Sequence, residues 1–350
     1  MARNIVVVGS SNTDMIIKLD RIPQPGETRL GGEFLTAAGG KGANQAVAAA
    51  KAGGAVTLVA RVGQDMFGER AVAGLADSGV NVEHVQYDDA PSGVALIFVG
   101  EDGENSIGVG SGANAKLSPA DVKNAQSSFA SASVVVIQLE TPLETVQAAA
   151  ELAAAHDALV ILNPAPAQPL PDKLLRYISI LTPNETEAEI LTGVKVTDES
   201  SCTQAADILL GKGIETVIIT LGSQGAFVAS QKSKQLVPGF KAKPVDTTAA
   251  GDSFNGALAV ALAEGQSLID AVRFANAAGA ISVTRMGAQP SAPTRTEIEE
   301  LLHGKAVMID APASAIDGHR MHQRPTLKGG ATRRESGLIN INPTFSSSTD

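Results

Sequence analysis

Short, continuously apolar runs of β-branched residues, spaced by Ala- and Leu-rich helical stretches, constrain this chain more than any other feature. Residues 5–8, 57–60, 134–139, 159–162, 178–181 and 217–221 are such runs, each bounded by turn residues. A strand wetted on one face alternates apolar and polar side chains, so an unbroken apolar run expects cover on both faces. Intervening helices supply that cover and make the strands parallel, because each crossover returns the chain to the same end of the sheet. Helix starts are marked at Ser118-Pro119, with Asp121 two residues past the proline, and at Thr141 and Thr294. Each of these threonines has a glutamate at capping-box spacing, Glu144 and Glu297. The expected fold class is α/β: three layers, a largely parallel central sheet flanked by helices.

Two segments break the rhythm. Residues 14–32 read as extended pieces around Pro23-Gln24-Pro25-Gly26. Residues 93–110 read as a hairpin, 94–99 and 106–109, turning at Glu101-Asp102-Gly103-Glu104-Asn105. Together they predict a small β-sheet lid, drawn from about 14–40 and 92–110, over one end of a main domain spanning 1–303. Residues 304–350 hold no sustained period, carry Arg333-Arg334 and finish in Ser346-Ser347-Ser348-Thr349. They are expected to form a poorly ordered tail, in which His319 and His322 are solvated side chains and no metal site.

Charge and composition narrow the function. A net charge of −10 argues against a sequence-independent nucleic-acid binder, which needs basic patches. Cys202 is the only cysteine, so there is no internal disulfide and no thiolate cluster. Residues 5–9 are too short an apolar run for a signal peptide or membrane span, and a reducing cytoplasm is the expected compartment. The sequon Asn184-Glu185-Thr186 is accordingly read as chance.

Chemistry concentrates in Asp246-Thr247-Thr248-Ala249-Ala250-Gly251-Asp252, which opens a helical pattern reaching Glu264. Unpaired backbone N–H groups and the helix dipole make such a turn an anion site. Asp252 stands inside it. A carboxylate there fits a group that takes a proton from a hydroxyl while the amides hold a phosphoryl group, the outline of a kinase for a small alcohol. The plainer reading, an acidic residue stabilising a first turn, stands beside it.

Gly39-Gly40-Lys41-Gly42-Ala43-Asn44 leads into a helix expected over 45–52. It is not a Walker A loop, since no glycine lies five residues before Gly40 and Gly42 follows the lysine. The nearest approach to a dinucleotide fingerprint, residues 108–113, opens no helix. Lys41 and Asn44 suit sugar hydroxyls. Asn12-Thr13-Asp14 is expected to close the first strand, and Glu140 to follow another, at the sheet edge where α/β proteins bind ligands; taken alone, the triplet is better explained by an Asx-turn. Asn184 and Glu187 have N-cap spacing, and Glu187 also suits a water-mediated contact to Mg²⁺ on nucleotide phosphates. Thr220-Leu221-Gly222-Ser223-Gln224-Gly225 is a turn after a strand that would let a nucleotide lie against the backbone.

These segments, with Gly287-Ala288-Gln289-Pro290-Ser291, resemble the ribokinase branch of the PfkB carbohydrate kinase family, in register from Asn4 to about Leu302. The resemblance implies a ribokinase-like fold with a small lid and ATP-dependent phosphorylation of D-ribose at O5. It implies that Asn12, Thr13, Asp14, Gly40, Lys41, Gly42, Ala43, Asn44 and Glu140 bind the sugar. Asp252 would be the general base and Ala249, Ala250, Gly251 and Asp252 the anion hole. Asn184, Thr220, Leu221, Gly222, Ser223, Gln224, Gly225, Gly251, Asp252 and Asn276 would line the ATP site. Glu187 would act on Mg²⁺ through water, and Asp246, Thr248, Ser282, Arg285, Gly287 and Ser291 would hold potassium, several through carbonyls. It further implies homodimers joined through the lids, with no nucleic-acid or membrane partner. Sister kinases of 2-deoxyribose or pseudouridine, a non-catalytic sugar-binding regulator and a nucleotide-binding interaction module are the alternatives.

Overall fold

The computed structural model describes residues 4–304. The expected tail, beyond its first residue, and with it His319 and His322, lies outside the described residues. The chain opens with β1 (Asn4–Val8), β2 (Asn12–Lys18), β3 (Glu33–Gly39), α1 (Lys41–Lys51), β4 (Ala55–Gly63), α2 (Met66–Asp77) and β5 (Asn81–Asp88). Next come β6 (Gly93–Val99), β7 (Asn105–Gly110), α3 (Pro119–Asn124), α4 (Gln126–Ser131), β8 (Ala132–Ile137), α5 (Leu143–Ala155) and β9 (Leu159–Leu162). Then follow α6 (Asp172–Leu175), β10 (Ile180–Leu181), α7 (Glu185–Thr192), α8 (Glu199–Gly211), β11 (Thr216–Thr220), β12 (Gly225–Ser230) and β13 (Lys234–Pro238). The last described elements are α9 (Ala250–Ala263), α10 (Leu268–Ser282) and α11 (Arg295–Leu302).

The central sheet has nine strands in the order β13-β12-β11-β10-β9-β8-β1-β4-β5. All pair in parallel from β11 to β5, while β12 and β13 return antiparallel at one edge. Strand alternation divides β1 between two cores. Ile5 and Val7 pack with Ala46, Val47, Leu258 and Ala275 of α1, α9 and α10. Val6 and Val8 pack with Val122, Phe129, Val146 and Leu209 of α3, α4, α5 and α8. Burying each such aliphatic side chain is worth about 1.5–3 kcal/mol. Two covered faces are therefore the physical reason the sequence runs are unbroken rather than alternating.

The lid is a separate four-stranded sheet, β3-β2-β6-β7, with β2 and β6 parallel. Its hairpin turns where expected. The triplet Asn12–Asp14 is placed differently from expectation: β1 ends at Val8, and Asn12 opens lid strand β2. Gly9-Ser10-Ser11 makes the crossing, so the three residues sit at the lid's root. Thr141 and Glu144 form no capping box, because α5 starts at Leu143 with Pro142 at its N-cap. Ser118 and Asp121 do form one, as do Thr294 and Glu297. The strand expected over 178–181 shortens to Ile180–Leu181, and α1 begins at Lys41 rather than residue 45.

Candidate active site

The parallel strands end at one edge, and there the chain places Ser10 and Ser11 after β1, Gln138 and Glu140 after β8, Asn163 after β9, and Thr182 and Asn184 after β10. The first turns of α1 and α9 meet the same edge, since α9 lies against α1. Gly256 permits that closeness. A Cβ on it would stand 2.7 Å from Ala48 Cβ, Ala49 N and Gln45 O.

The mouth of α1 rests on the crossing between β1 and β2. Gly40 has φ 88°, and a Cβ there would lie 2.6 Å from Asn12 N. A Cβ on Gly42 would lie 2.6 Å from Gly9 C and Ser10 N. The glycines are thus demanded by backbone approach, while Ala43 packs into the hydrophobic core and offers a ligand no side chain. Glu140 caps this helix: its Oε2 accepts from Lys41 N at 3.0 Å and from the Ser10 hydroxyl. The negative charge sits at the positive end of the dipole.

Asp14, on β2, faces this mouth. Burial, with the nearby Glu140 and Asp252 carboxylates, pushes its carboxyl up to about 6 against the opposing pull of Lys41. Asn12 lies on the same strand face two residues away, whereas alternation points Thr13 to the opposite face. Asn12 Oδ1 accepts from Asn114 Nδ2 at 2.7 Å, which leaves its own amide N–H groups for a ligand. Asn114, buried and also accepting from Ser11 N at 2.9 Å, was not expected from the sequence. Its signal was faint: an asparagine in a Gly-rich turn shortly after the lid hairpin.

At the mouth of α9, Ala249 takes the left-handed conformation with φ 58°. A non-glycine residue there costs roughly 1–2 kcal/mol, and such strain collects at working sites. The Ala250 N–H closes a turn to Thr247 O at 3.3 Å, which leaves Gly251 and Asp252 as the first-turn amides best placed for an anion. A Cβ on Gly251 would meet nothing within 4 Å, so the space over that turn is open. Asp252 itself is buried. Its Oδ2 accepts from Asn44 Nδ2 at 3.0 Å and its Oδ1 from Gln45 Nε2 at 2.8 Å. Burial pushes the Asp252 carboxyl upward, opposed by Lys41 and the two amide donors and reinforced by Glu140. Asn44 Oδ1 is a buried acceptor with no partner among the described residues, available to a hydroxyl.

Behind Asp252 runs a buried amide chain that sequence reasoning missed. Gln138 Nε2 donates to Gln45 Oε1 at 2.7 Å, and Gln45 Nε2 donates to Asn163 Oδ1 at 3.0 Å. Asn163 Nδ2 donates to Thr182 O at 3.1 Å, Thr182 Oγ1 to Asn255 Oδ1 at 2.7 Å, and Asn255 Nδ2 to Gly251 O at 2.8 Å. The chain ties the ends of β8, β9 and β10 to both helix mouths. Only a polar residue following an apolar strand hinted at it.

On the far side of the α9 mouth, Asn184 and Glu187 form a reciprocal cap: Glu187 N donates to Asn184 Oδ1 at 2.7 Å and Asn184 N to Glu187 Oε2 at 2.9 Å. Burial, with Asp252 nearby, raises the Glu187 carboxyl, opposed by the Asn184 N–H and by Lys41. Lys41 therefore acts on Asp14, Asp252 and Glu187 together. Thr220 pairs with Asn184 at the sheet edge, followed by the tight turn Gly222–Gln224; Leu221 N donates to Gly225 O at 2.8 Å. Gly222 is open to the exterior. Gly225 is instead fixed by the β12–β13 hairpin, where its Cβ would meet Gly239 N and Val237 O. Asn276 is likewise engaged with that hairpin, donating to Val237 O at 3.0 Å and Pro238 O at 3.3 Å.

The residues expected around a monovalent cation fall on two touching loops. Asp246 Oδ1 accepts from Thr248 N and Oδ2 from Gly287 N, both at 2.9 Å. Burial would raise the Asp246 carboxyl, but the Thr248 and Gly287 hydrogen bonds prevail and hold it low. Ser282 ends α10, and Arg285 and Ser291 lie along the Gly287 loop that follows it. The Arg285 guanidinium is paired with Glu297, so its contribution would be a carbonyl. One carboxylate and several carbonyls form an oxygen-only donor set, the kind a hard cation takes. Lys51 Nζ pins the same loop, donating to Gln289 O at 2.8 Å.

Residues 2–295 match the family described as pfkB family carbohydrate kinase. The chain is 46% identical over 303 residues to ribokinase of Haemophilus influenzae, covering 86% of this chain and 99% of that protein. It is 44% identical over 301 residues to ribokinase of Bacillus subtilis, again covering 86% and 99%. Among solved structures, Arabidopsis thaliana ribokinase complexed with ribose and ATP superposes with a TM-score of 0.81 at 36% identity, over 86% of this chain and 99% of that one.

Proposed function

We propose, from a chain that belongs to the pfkB family of carbohydrate kinases, that its reaction is transfer of the ATP γ-phosphoryl group to O5 of D-ribose. One observation carries the reading. Asp252 is a buried carboxylate held by Asn44 and Gln45 beside the open first turn of α9. A hydroxyl presented to Asp252 then lies next to amides able to hold the group being transferred. Asp252 takes the hydroxyl proton as the new O–P bond forms and the bond from the γ-phosphorus to the bridging oxygen breaks, leaving ADP, while the amides of Gly251 and Asp252 stabilise the oxygens of the migrating phosphoryl group. Such transfers depend on positioning and charge, and a general base adds about 10²- to 10⁴-fold.

Asn12, Asp14, Gly40, Lys41 and Asn44 bind ribose in this proposal, and the lid closes over it to exclude water. Asn184, Thr220 and the 222–224 turn hold ATP. Bound with ATP, Mg²⁺ supplies neutralisation of phosphate charge, with Glu187 its partner through water. Potassium held by Asp246 and the carbonyls of the 282–291 loop would order the residues leading into the anion hole. A second copy of the chain is proposed to pack against the lid, because Phe34, Leu96, Ile107 and Val109 on its strands are each more than half exposed. Among the described residues no helix is long and apolar enough to cross a membrane; action in the cytoplasm is part of the proposal.

A sister activity on 2-deoxyribose is the second reading, and Asn12 decides between them. Its free amide N–H groups suit a sugar 2-hydroxyl, and a site that hydrogen-bonds a hydroxyl rejects the analogue lacking it. The test is release of ADP with ribose, 2-deoxyribose and pseudouridine, with and without potassium, and ³¹P NMR of the product. Ribose 5-phosphate as the main product supports the reading. Equal turnover of 2-deoxyribose refutes the ribose assignment.

A further inference from the structure

We infer that Gln45 is a positioning residue for the proton-accepting carboxylate: its side-chain amide is locked by Gln138 and Asn163 so that only N–H can face Asp252. The inference rests on the reading of Asp252 as the base. Gln45 and Gln138 are wholly buried, so neither amide exchanges a partner for water. Gln138 Nε2 occupies Gln45 Oε1 at 2.7 Å. The Gln45 amide nitrogen must then point the other way, and its two hydrogens go to Asn163 Oδ1 at 3.0 Å and Asp252 Oδ1 at 2.8 Å. Asn163 cannot flip either, because its own Nδ2 is committed to Thr182 O at 3.1 Å. Each donor assignment forces the next.

The consequence is chemical. Gln45 presents only a donor to Asp252, so a protonated carboxyl finds no acceptor there, whereas Asn44, whose Oδ1 is unpartnered among the described residues, can turn to accept its proton. The amide chain favours the ionised carboxylate that burial disfavours. A newly acquired proton is kept off the Gln45 side of the carboxyl and goes toward Asn44 and the site's open face. The other charged groups facing Asp252 are Lys41 on α1, Glu140 after β8, Asp14 on β2 and Glu187 on α7. None of these is removed by changing Gln45.

The test follows the Asp252 carboxyl carbon by ¹³C NMR in protein carrying ¹³C-aspartate, its signal assigned by loss in Asp252→Asn. Gln45→Met keeps the shape and removes the donor. Its Asp252 midpoint is expected to rise by about 1–2 pH units, the worth of one charge-assisted hydrogen bond. Gln138→Met is the comparison: it strips the donor from Gln45 Oε1, but Asn163 Oδ1 still holds a Gln45 N–H, so its midpoint stays closer to the parent's. The acid limb of kcat moves with Gln45→Met. If Gln45→Met does not fold, Gln45→Leu takes its place. A Gln45 variant whose midpoint lies within about 0.3 unit of the parent overturns the inference, because so small a shift is under half a kcal/mol. A raised midpoint in a protein that does not phosphorylate ribose leaves this inference standing and removes the proposed reaction. Active enzyme with an unmoved midpoint does the reverse.

Discussion

Replacing Gly256 with alanine tests how the fold brings Asp252 to its partners. The new Cβ would lie 2.7 Å from Ala48 Cβ, Ala49 N and Gln45 O, two of them backbone atoms that cannot rotate away. Ordinary heavy-atom contacts begin at about 3.5 Å, so α1 and α9 must part by about 1 Å. The two hydrogen bonds crossing that seam, Asn44 to Asp252 at 3.0 Å and Gln45 to Asp252 at 2.8 Å, then open to about 4 Å, beyond useful reach. Overpacking costs about 1–3 kcal/mol, and the helix propensity of alanine over glycine returns up to about 1. A net loss of about 1 kcal/mol in urea unfolding is expected. The effect on turnover is larger, about 10- to 100-fold in kcat, since a misplacement near 1 Å can cost that much. Gly74→Ala is the control. It lies in α2 with nothing within 4 Å of a new Cβ, and should stabilise by about 0.5–1 kcal/mol with kcat unchanged. Gly256→Ala matching that control in both stability and turnover would refute the packing argument.

Four further outcomes are expected. Asp14 has a folded-state carboxyl raised to about 6. Its stabilisation is full below the unfolded value and is lost as pH rises through about 6. Sugar-free Asp14→Asn should therefore lose part of the decline in melting temperature between pH 4 and 7 seen in the parent; identical profiles contradict this placement. Because the ionised form is the better hydroxyl acceptor, the KM for ribose should also climb below pH 6, and a flat KM would count against Asp14 as a sugar ligand. Asn12→Ala should lower kcat/KM for ribose at least about tenfold while leaving 2-deoxyribose nearly untouched, as the loss of one hydrogen bond to a hydroxyl demands; equal losses would place Asn12 elsewhere. Lys51→Met releases the Gln289 carbonyl from its ammonium and should weaken the potassium-dependent rise in melting temperature, which an unchanged rise would exclude.

The fold was legible where periodicity encodes it. Residues 5–8, 134–137 and 160–162 are apolar on both faces, and two helical layers cover them. The lid hairpin was readable from its turn. Strands β12 and β13 escaped because a short antiparallel hairpin at a sheet edge leaves little beyond Gly225 and Gly239, whose tight backbone approach shows only in three dimensions. Asn12–Asp14 went to the wrong strand because three residues, Gly9 to Ser11, suffice to cross from one sheet to the other. Within the site, Asp252 was visible because a helix opening announces itself. Gln45, Gln138, Asn163 and Asn255 were not, because a buried amide between aliphatic neighbours reads like any other polar residue until its partners are known.

In the proposed reaction Asp252 takes the proton while the mouth of α9 holds the transferring group. Asp252→Asn keeps the side-chain shape and removes the basic oxygen, so steady-state ADP production with ribose measures the claim directly. In Asp252→Asn, kcat should fall about 10²- to 10⁴-fold while calorimetric ribose affinity stays within a few-fold of the parent. A variant that binds ribose normally and turns over near the parent rate would contradict the claim.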